Sequence, residues 1–175
     1  MTRGIHRCLD RGQCGFTLIE ILVVMVIIAI ITTVAVLSLG TGDRGRLVKQ
    51  EAHRLAAVLD VASQDAVIQS SQYGLRVAGD GYGFLELHNQ KWRPLAGDPA
   101  LSHHSLPDGM RLELNVEGLA AKLTSAEQDQ RPQVLVLSSG EMTPFQVRIT
   151  AQGTQSVAIV KGSATGKIDI RTEGK

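Results

Sequence analysis

Gly15-Phe16-Thr17-Leu18-Ile19-Glu20 opens a run that continues as ILVVMVIIAIITTVAVLSL through residues 21–39. From Phe16 to Leu39 it holds 24 residues and one ionisable side chain, Glu20. As a helix this run would be about 36 Å long, enough to cross a bilayer core of about 30 Å. It is apolar on every face, which argues against a helix lying with one side on a soluble core. Residues 1–15 are polar and carry Arg3, Arg7 and Arg11 against Asp10. Basic residues ahead of a first apolar helix favour a cytoplasmic amino end. Residues 40–175 then lie across the membrane, which in a bacterium is the periplasm. A secretory signal peptide is the competing reading: its apolar region is shorter, about 7–15 residues, and Ser38-Leu39-Gly40 offers a small-residue end. A plain anchor explains length and flank but leaves Gly15 and Glu20 as accidents.

Glu20 is the odd residue. A carboxylate inside a spanning helix costs a few kcal/mol at depth and is a functional candidate by default. The plain alternative is that it reaches back to the lipid headgroups.

The junction resembles the cleavage and methylation signature of type IV pilins and type II secretion pseudopilins: glycine, phenylalanine, a glutamate at the fifth position after the junction, and the helix directly behind. The resemblance implies that a prepilin peptidase, a membrane aspartyl enzyme, cuts between Gly15 and Phe16 on the cytoplasmic face. It also implies N-methylation of Phe16 and an assembly ion pair between Glu20 and a neighbouring subunit's amino terminus. Elementary chemistry agrees with each step. Glycine has no side chain to hold an extended backbone away from a protease. Cutting there creates an α-ammonium with a pKa near 8. Glu20 stands four residues on, about one helical turn away on the same face. A carboxylate near a helix amino terminus also complements the macrodipole.

Beyond Gly40-Thr41-Gly42-Asp43, which interrupts the helical pattern, an amphipathic period resumes. Leu47, Val48, Glu51, Ala52, Leu55, Ala56, Leu59, Ala62 and Ala66 recur at three- and four-residue steps, predicting a helix over about 44–71 whose stripe lies on a sheet. The period then becomes two. Tyr73–Val77 and Tyr82–Leu87 read as a hairpin closed by Gly79-Asp80-Gly81. Trp92–Leu95 reads as an edge strand, because proline cannot donate to a ladder. Residues 96–109 read as a loop and 110–116 as a strand. The stretch 117–132 is polar, with a short helix as one option. Gln133–Leu137 reads as a buried-type strand, and 145–149, 156–160 and 167–170 as further short strands. A long helix followed by antiparallel strands is an α+β fold. The expected organisation is a leader over 1–15, a transmembrane helix over 16–39 and a periplasmic domain over 40–175.

Glu51-Ala-His-Arg-Leu-Ala, Tyr73-Gly-Leu, Asp80-Gly-Tyr82, Trp92-Arg-Pro-Leu95 and Leu137-Ser-Ser-Gly-Glu-Met-Thr-Pro-Phe145, in that order behind a pilin signature, are similar to the H-type minor pseudopilins of type II secretion systems. The resemblance covers most of the chain and implies a type IV pilin-like fold. It implies a structural subunit near the tip of a fibre, joined to the other minor pseudopilins and the major pseudopilin and resting in inner-membrane lipid before assembly. Exported proteins are a further implied contact. The alternative is a minor type IV pilin in pilus assembly, adhesion or DNA uptake.

Catalysis and cofactors find no support. There is no phosphate loop, nucleophile elbow or HExxH helix, and Ser138 and Ser139 lack flanking glycines. The two cysteines, Cys8 and Cys14, both precede the apolar run, so no cysteine metal site or CxxC centre exists. His103-His104 reads as a solvated loop pair without further metal ligands, and Trp92 as a half-buried packing residue. The expectation is a protein that is not an enzyme, with no cofactor and no metal. Charge argues against nucleic acid: 18 Lys and Arg face 17 Asp and Glu. Without residues 1–15 the balance becomes 15 against 16. The dispersed Lys161, Lys167, Arg171 and Lys175 are too few for a phosphate track.

Overall fold

The computed structural model describes residues 17–95, 98–123 and 131–174, with the side chains of 34–42 left aside. Chain contacts divide the protein into residues 1–39 and 40–175. The backbone of one helix, α1 (Leu18–Ile68), runs through both.

Among the described side chains of the first unit, α1 buries none. Leu18 is 86% exposed, Ile19 71% and Ile31 62%, and the apolar side chains between them are exposed on all sides of the helix. Thr32 and Thr33 turn their hydroxyls inward, donating to the carbonyls of Ile28 at 2.7 Å and Ala29 at 2.8 Å. Polar groups satisfied within the helix suit surroundings without water. Among the described residues no helix is long and apolar enough to cross a membrane. The stretch with described side chains stops at Thr33, while the apolar sequence continues to Leu39.

The backbone stays helical through Gly40–Asp43, where the amphipathic pattern is interrupted. Glycine weakens a helix by about 1 kcal/mol but, unlike proline, keeps its N–H and clashes with nothing. In the second unit Val48, Ala52, Leu55, Leu59, Ala62 and Ala66 form a stripe with no exposed surface. The carboxyl end comes at Ile68, three residues earlier than the period suggests. Ser71 N–H donates to Ala66 O at 3.0 Å and Ser70 N–H to Val67 O at 3.3 Å. Ser70 sits at φ 52°. This is a Schellman cap with serine where glycine is usual.

Two antiparallel sheets share the core with that stripe. The first, sheet A, contains β1 (Tyr73–Ala78), β2 (Gly81–His88), β3 (Lys91–Pro94), β4 (His104–Ser105) and β7 (Val134–Val136). Its order is β3-β2-β1-β7, with β4 also pairing with β2. Tyr73, Leu75 and Val77 face Glu86, Phe84 and Tyr82 across the β1–β2 pair. The second, sheet B, contains β5 (Met110–Val116), β6 (Leu119–Ala120), β8 (Phe145–Ala151), β9 (Val157–Gly162) and β10 (Ile168–Glu173), in the order β10-β9-β8-β5-β6. Leu114, Val147 and Val160 form one buried cross-strand row, and Leu112, Ile149 and Ala158 the next.

Three details differ from the sequence pattern. Residues 134–136 do form a strand, β7, with Val134 and Val136 fully buried, but it is an outer strand whose Leu135 is 39% exposed. Residues 119–120 pair as β6 beside β5, with no helix among the described residues of 117–132. The 96–109 loop contains β4, which lies against Gly81 and Tyr82. The outer strands are short or charged: β6 has two residues, β7 three, β3 ends in Pro94, and β10 exposes Asp169, Arg171 and Glu173.

Candidate functional site

The start of α1 is built by Thr17. Its hydroxyl accepts the Glu20 N–H at 3.3 Å, and its carbonyl accepts Glu20 N–H at 3.0 Å and Ile21 N–H at 3.3 Å. Thr17-Leu18-Ile19-Glu20 therefore has the T-x-x-E spacing of a capping box, with threonine as the N-cap. Glu20 stands in the first turn, exposed, where a negative charge complements the helix dipole. Gly15 and Phe16, read as the cleavage and methylation positions, lie outside the described residues. The cap is legible as the T-x-x-E spacing, and it joins the macrodipole match and the assembly role read for Glu20.

A second polar group ties the helix to sheet A inside the head. Glu51, within the apolar stripe and only 7% exposed, meets the His104 ring at 2.9 Å between Oε2 and Nε2. His104 is thus not part of a solvated pair; its ring also lies 5.2 Å from that of Tyr82, tilted by 58°. The Tyr82 hydroxyl is buried and has no hydrogen-bond partner among the described residues. Burial, and then the Glu51 carboxylate, push this phenol up to about 12. The neighbouring Arg54 guanidinium pulls the other way. His103 packs over Gly81 and Gly83 instead. No group of three or more metal-ligating side chains occurs among the described residues.

Arg44 fixes the base of the head. Its guanidinium donates to the Gln152 carbonyl at 2.7 Å and lies over Gly109 and Gly153, both at positive φ. Nearby, a Cβ built on Gly45 would stand 2.7 Å from Ser156 Oγ, so glycine sets how closely helix and β8–β9 loop approach. None of these groups forms a nucleophile–base pair or a convergent acid–base cluster. They are fastenings.

A family model described as "Prokaryotic N-terminal methylation motif" matches residues 10–36, and one described as "Type II transport protein GspH" matches residues 51–166. The chain belongs to the GspH family. It is 38% identical to type II secretion system protein H of Pseudomonas aeruginosa over 158 residues, spanning 85% of this chain and 90% of that one. With the namesake from Aeromonas hydrophila it shares 33% over 150 residues, covering 80% and 82%. The fold is similar to the crystal structure of the minor pseudopilin EPSH from Vibrio cholerae, with TM-score 0.63, 24% identity and coverage of 74% of this chain and 96% of that one. The solution structure of Escherichia coli GspH gives TM-score 0.60 at 19% identity, covering 75% and 93%. This GspH-family chain is a minor pseudopilin of a type II secretion system, a structural subunit and not an enzyme. The family assignment selects secretion over the type IV pilus alternative. The methylation motif together with the family points to an inner-membrane anchor.

Proposed function

We infer that this minor pseudopilin is made as a precursor whose residues 1–15 are removed by the prepilin peptidase after Gly15, with N-methylation of Phe16. Residues 16–39 span the inner membrane with the amino end cytoplasmic, and 40–175 form the periplasmic domain. The subunit enters the secretion fibre near its tip, joining the other minor pseudopilins to the major one, and the fibre moves folded proteins through the outer membrane. The observation that carries this reading is the placement of Glu20. It is an exposed carboxylate in the first turn of a helix whose surrounding side chains are apolar and equally exposed, one turn after the proposed new amino terminus. In a low-dielectric bundle of such helices, a free ammonium on one copy and a carboxylate on the next neutralise each other.

Mass spectrometry of the mature amino terminus tests the processing step: methylated Phe16 is expected, and a start at Thr41 or an intact Met1 would overturn it. Glu20→Ala and Glu20→Leu test the pairing step. Both variants should insert and be cleaved, yet enter the fibre poorly; normal incorporation of either removes the ion pair from the reading.

A further inference from the structure

β10 closes one side of sheet B, and among the described residues no strand pairs with its outer side. The other outer strands are shorter, and β3 ends in proline, so β10 is the longest open edge of the head. The backbone N–H and C=O groups on that side are a template for one more strand. Its side chains alternate between two faces. Ile168 and Ile170 lie half-buried against the core. On the opposite face Lys167, just ahead of the strand, is followed by Asp169, Arg171 and Glu173, all exposed. Their signs run plus, minus, plus, minus. Arg171 and Glu173 stand opposite Ile159 and Val157 on β9, so the neighbouring strand gives them no charged cross-strand partner. Asp169 lies opposite Lys161 and 3.3 Å from Lys167. That last contact joins two exposed side chains and is worth little.

We propose that this edge pairs antiparallel with β10 of a second copy of the chain, in the register that sets Ile170 opposite Ile170. A two-fold contact brings the same patch together from both copies, so the charge order along β10 must complement itself. Two such registers use the middle of the strand. Centred on Ile170, Asp169 of each copy faces Arg171 of the other, and Lys167 faces Glu173. On the core-side face Ile170 then meets Ile170, and Ile168 meets Thr172, which covers the half-buried isoleucines. Centred on Arg171, arginine faces arginine and Asp169 faces Glu173. Unlike charges directly opposite stabilise a strand pair and like charges oppose it, so the first register wins. Charges on an edge ordinarily turn strands away; here their order admits one. The pair is closed, because each copy spends its only β10 edge. The contact goes beyond the assembly reading and does not depend on Glu20.

Sedimentation equilibrium of the full-length chain in detergent micelles tests the pairing, and a reversible monomer–dimer equilibrium is expected. Asp169→Arg sets arginine against Arg171, and Arg171→Asp sets aspartate against Asp169. Each alone should weaken dimerisation about tenfold, with circular dichroism unchanged. Mixing the two variants restores unlike charges in the mixed pair, and Asp169→Arg/Arg171→Asp in one chain restores them in its own pair. Both should dimerise within about threefold of the unaltered chain. If either variant fails to fold, Lys167→Glu and Glu173→Lys, taken singly, mixed and combined, pose the same question. An unaltered chain that stays monomeric overturns the proposal. So do single variants that dimerise as well as the unaltered chain, the mark of copies held through α1 alone. Losses that neither the mixture nor the double exchange recovers overturn it as well.

Discussion

The side-chain amide of Gln133 makes both hydrogen bonds that a neighbouring strand would make to Val77. Its Nε2 donates to Val77 O at 3.0 Å, and its Oε1 accepts from Val77 N at 2.9 Å. β7 begins only at Val134 and pairs with β1 no further than Leu75. One carboxamide thus extends the ladder by a residue without extending the strand. Gln133→Ala and the similarly sized Gln133→Met should both leave these backbone groups without their partner, each costing about 1–3 kcal/mol. Gln133→Glu keeps an acceptor for the N–H and loses the donor to the carbonyl. Denaturant unfolding of the full chain in micelles should place it between the wild type and Gln133→Met.

Glu51 and His104 couple helix to sheet through side chains that are only 9% and 18% exposed. His104→Ala should destabilise by about 1–3 kcal/mol, because it strands a buried carboxylate. Glu51→Gln should cost less, since an amide can still accept from the ring. A double-mutant cycle with His104→Gln should give a coupling of about 0.5–3 kcal/mol. Additive losses would mean that the contact carries no energy of its own.

Both tyrosines titrate late. Burial first, and then the Asp65 and Glu86 carboxylates, raise the Tyr73 phenol above its ordinary value, while Tyr82 is raised to about 12. The fold favours the neutral phenols, so they leave stability flat below the ordinary value of 10.0. Above that pH the unfolded chain ionises first and stability falls. The decline approaches about 1.4 kcal/mol per pH unit for each tyrosine still protonated in the fold, and for Tyr82 it ends near 12. Tyrosinate absorbance of the folded protein should therefore reach half of its full rise only above pH 10.0. A native tyrosine half-ionised at or below that pH would contradict this account.

Gly45 and Ser156 test the close approach at the base of the head. Gly45→Val should destabilise by about 1–3 kcal/mol through overpacking. Gly45→Ala is expected to lose less, since the obstructing Ser156 Oγ can rotate. Adding Ser156→Ala should recover most of that loss, which thermal unfolding of the three variants can measure.

The rod and the stripe of α1 were readable because helical period and apolar run are local properties of sequence. The β1–β2 hairpin was readable for the same reason. The fastenings were not. Glu51 and His104 lie 53 positions apart, and Gln133 lies 56 from Val77, so no window of sequence shows either meeting. The β2–β3 turn escaped because it places Asn89 and Gln90 at φ 49° and 63°, conformations that glycine ordinarily announces. The edge position of β7 escaped because Val-Leu-Val reads the same in the middle of a sheet as at its border until its neighbours are known. Among the site residues, Glu20 was found by its oddness in an apolar run. Its backbone bond to Thr17 follows from the T-x-x-E spacing.

A protein made for stacking must accept copies along one direction and refuse them along all others. The outer strands of this head refuse well: two end within three residues, one closes on a proline, and the longest shows aspartate, arginine and glutamate to a visitor. Such borders offer little template for open-ended sheet-to-sheet growth between heads. Under the proposed assembly, polymer geometry would be left to the rods, and the heads would be free to diverge in what they present to the outside.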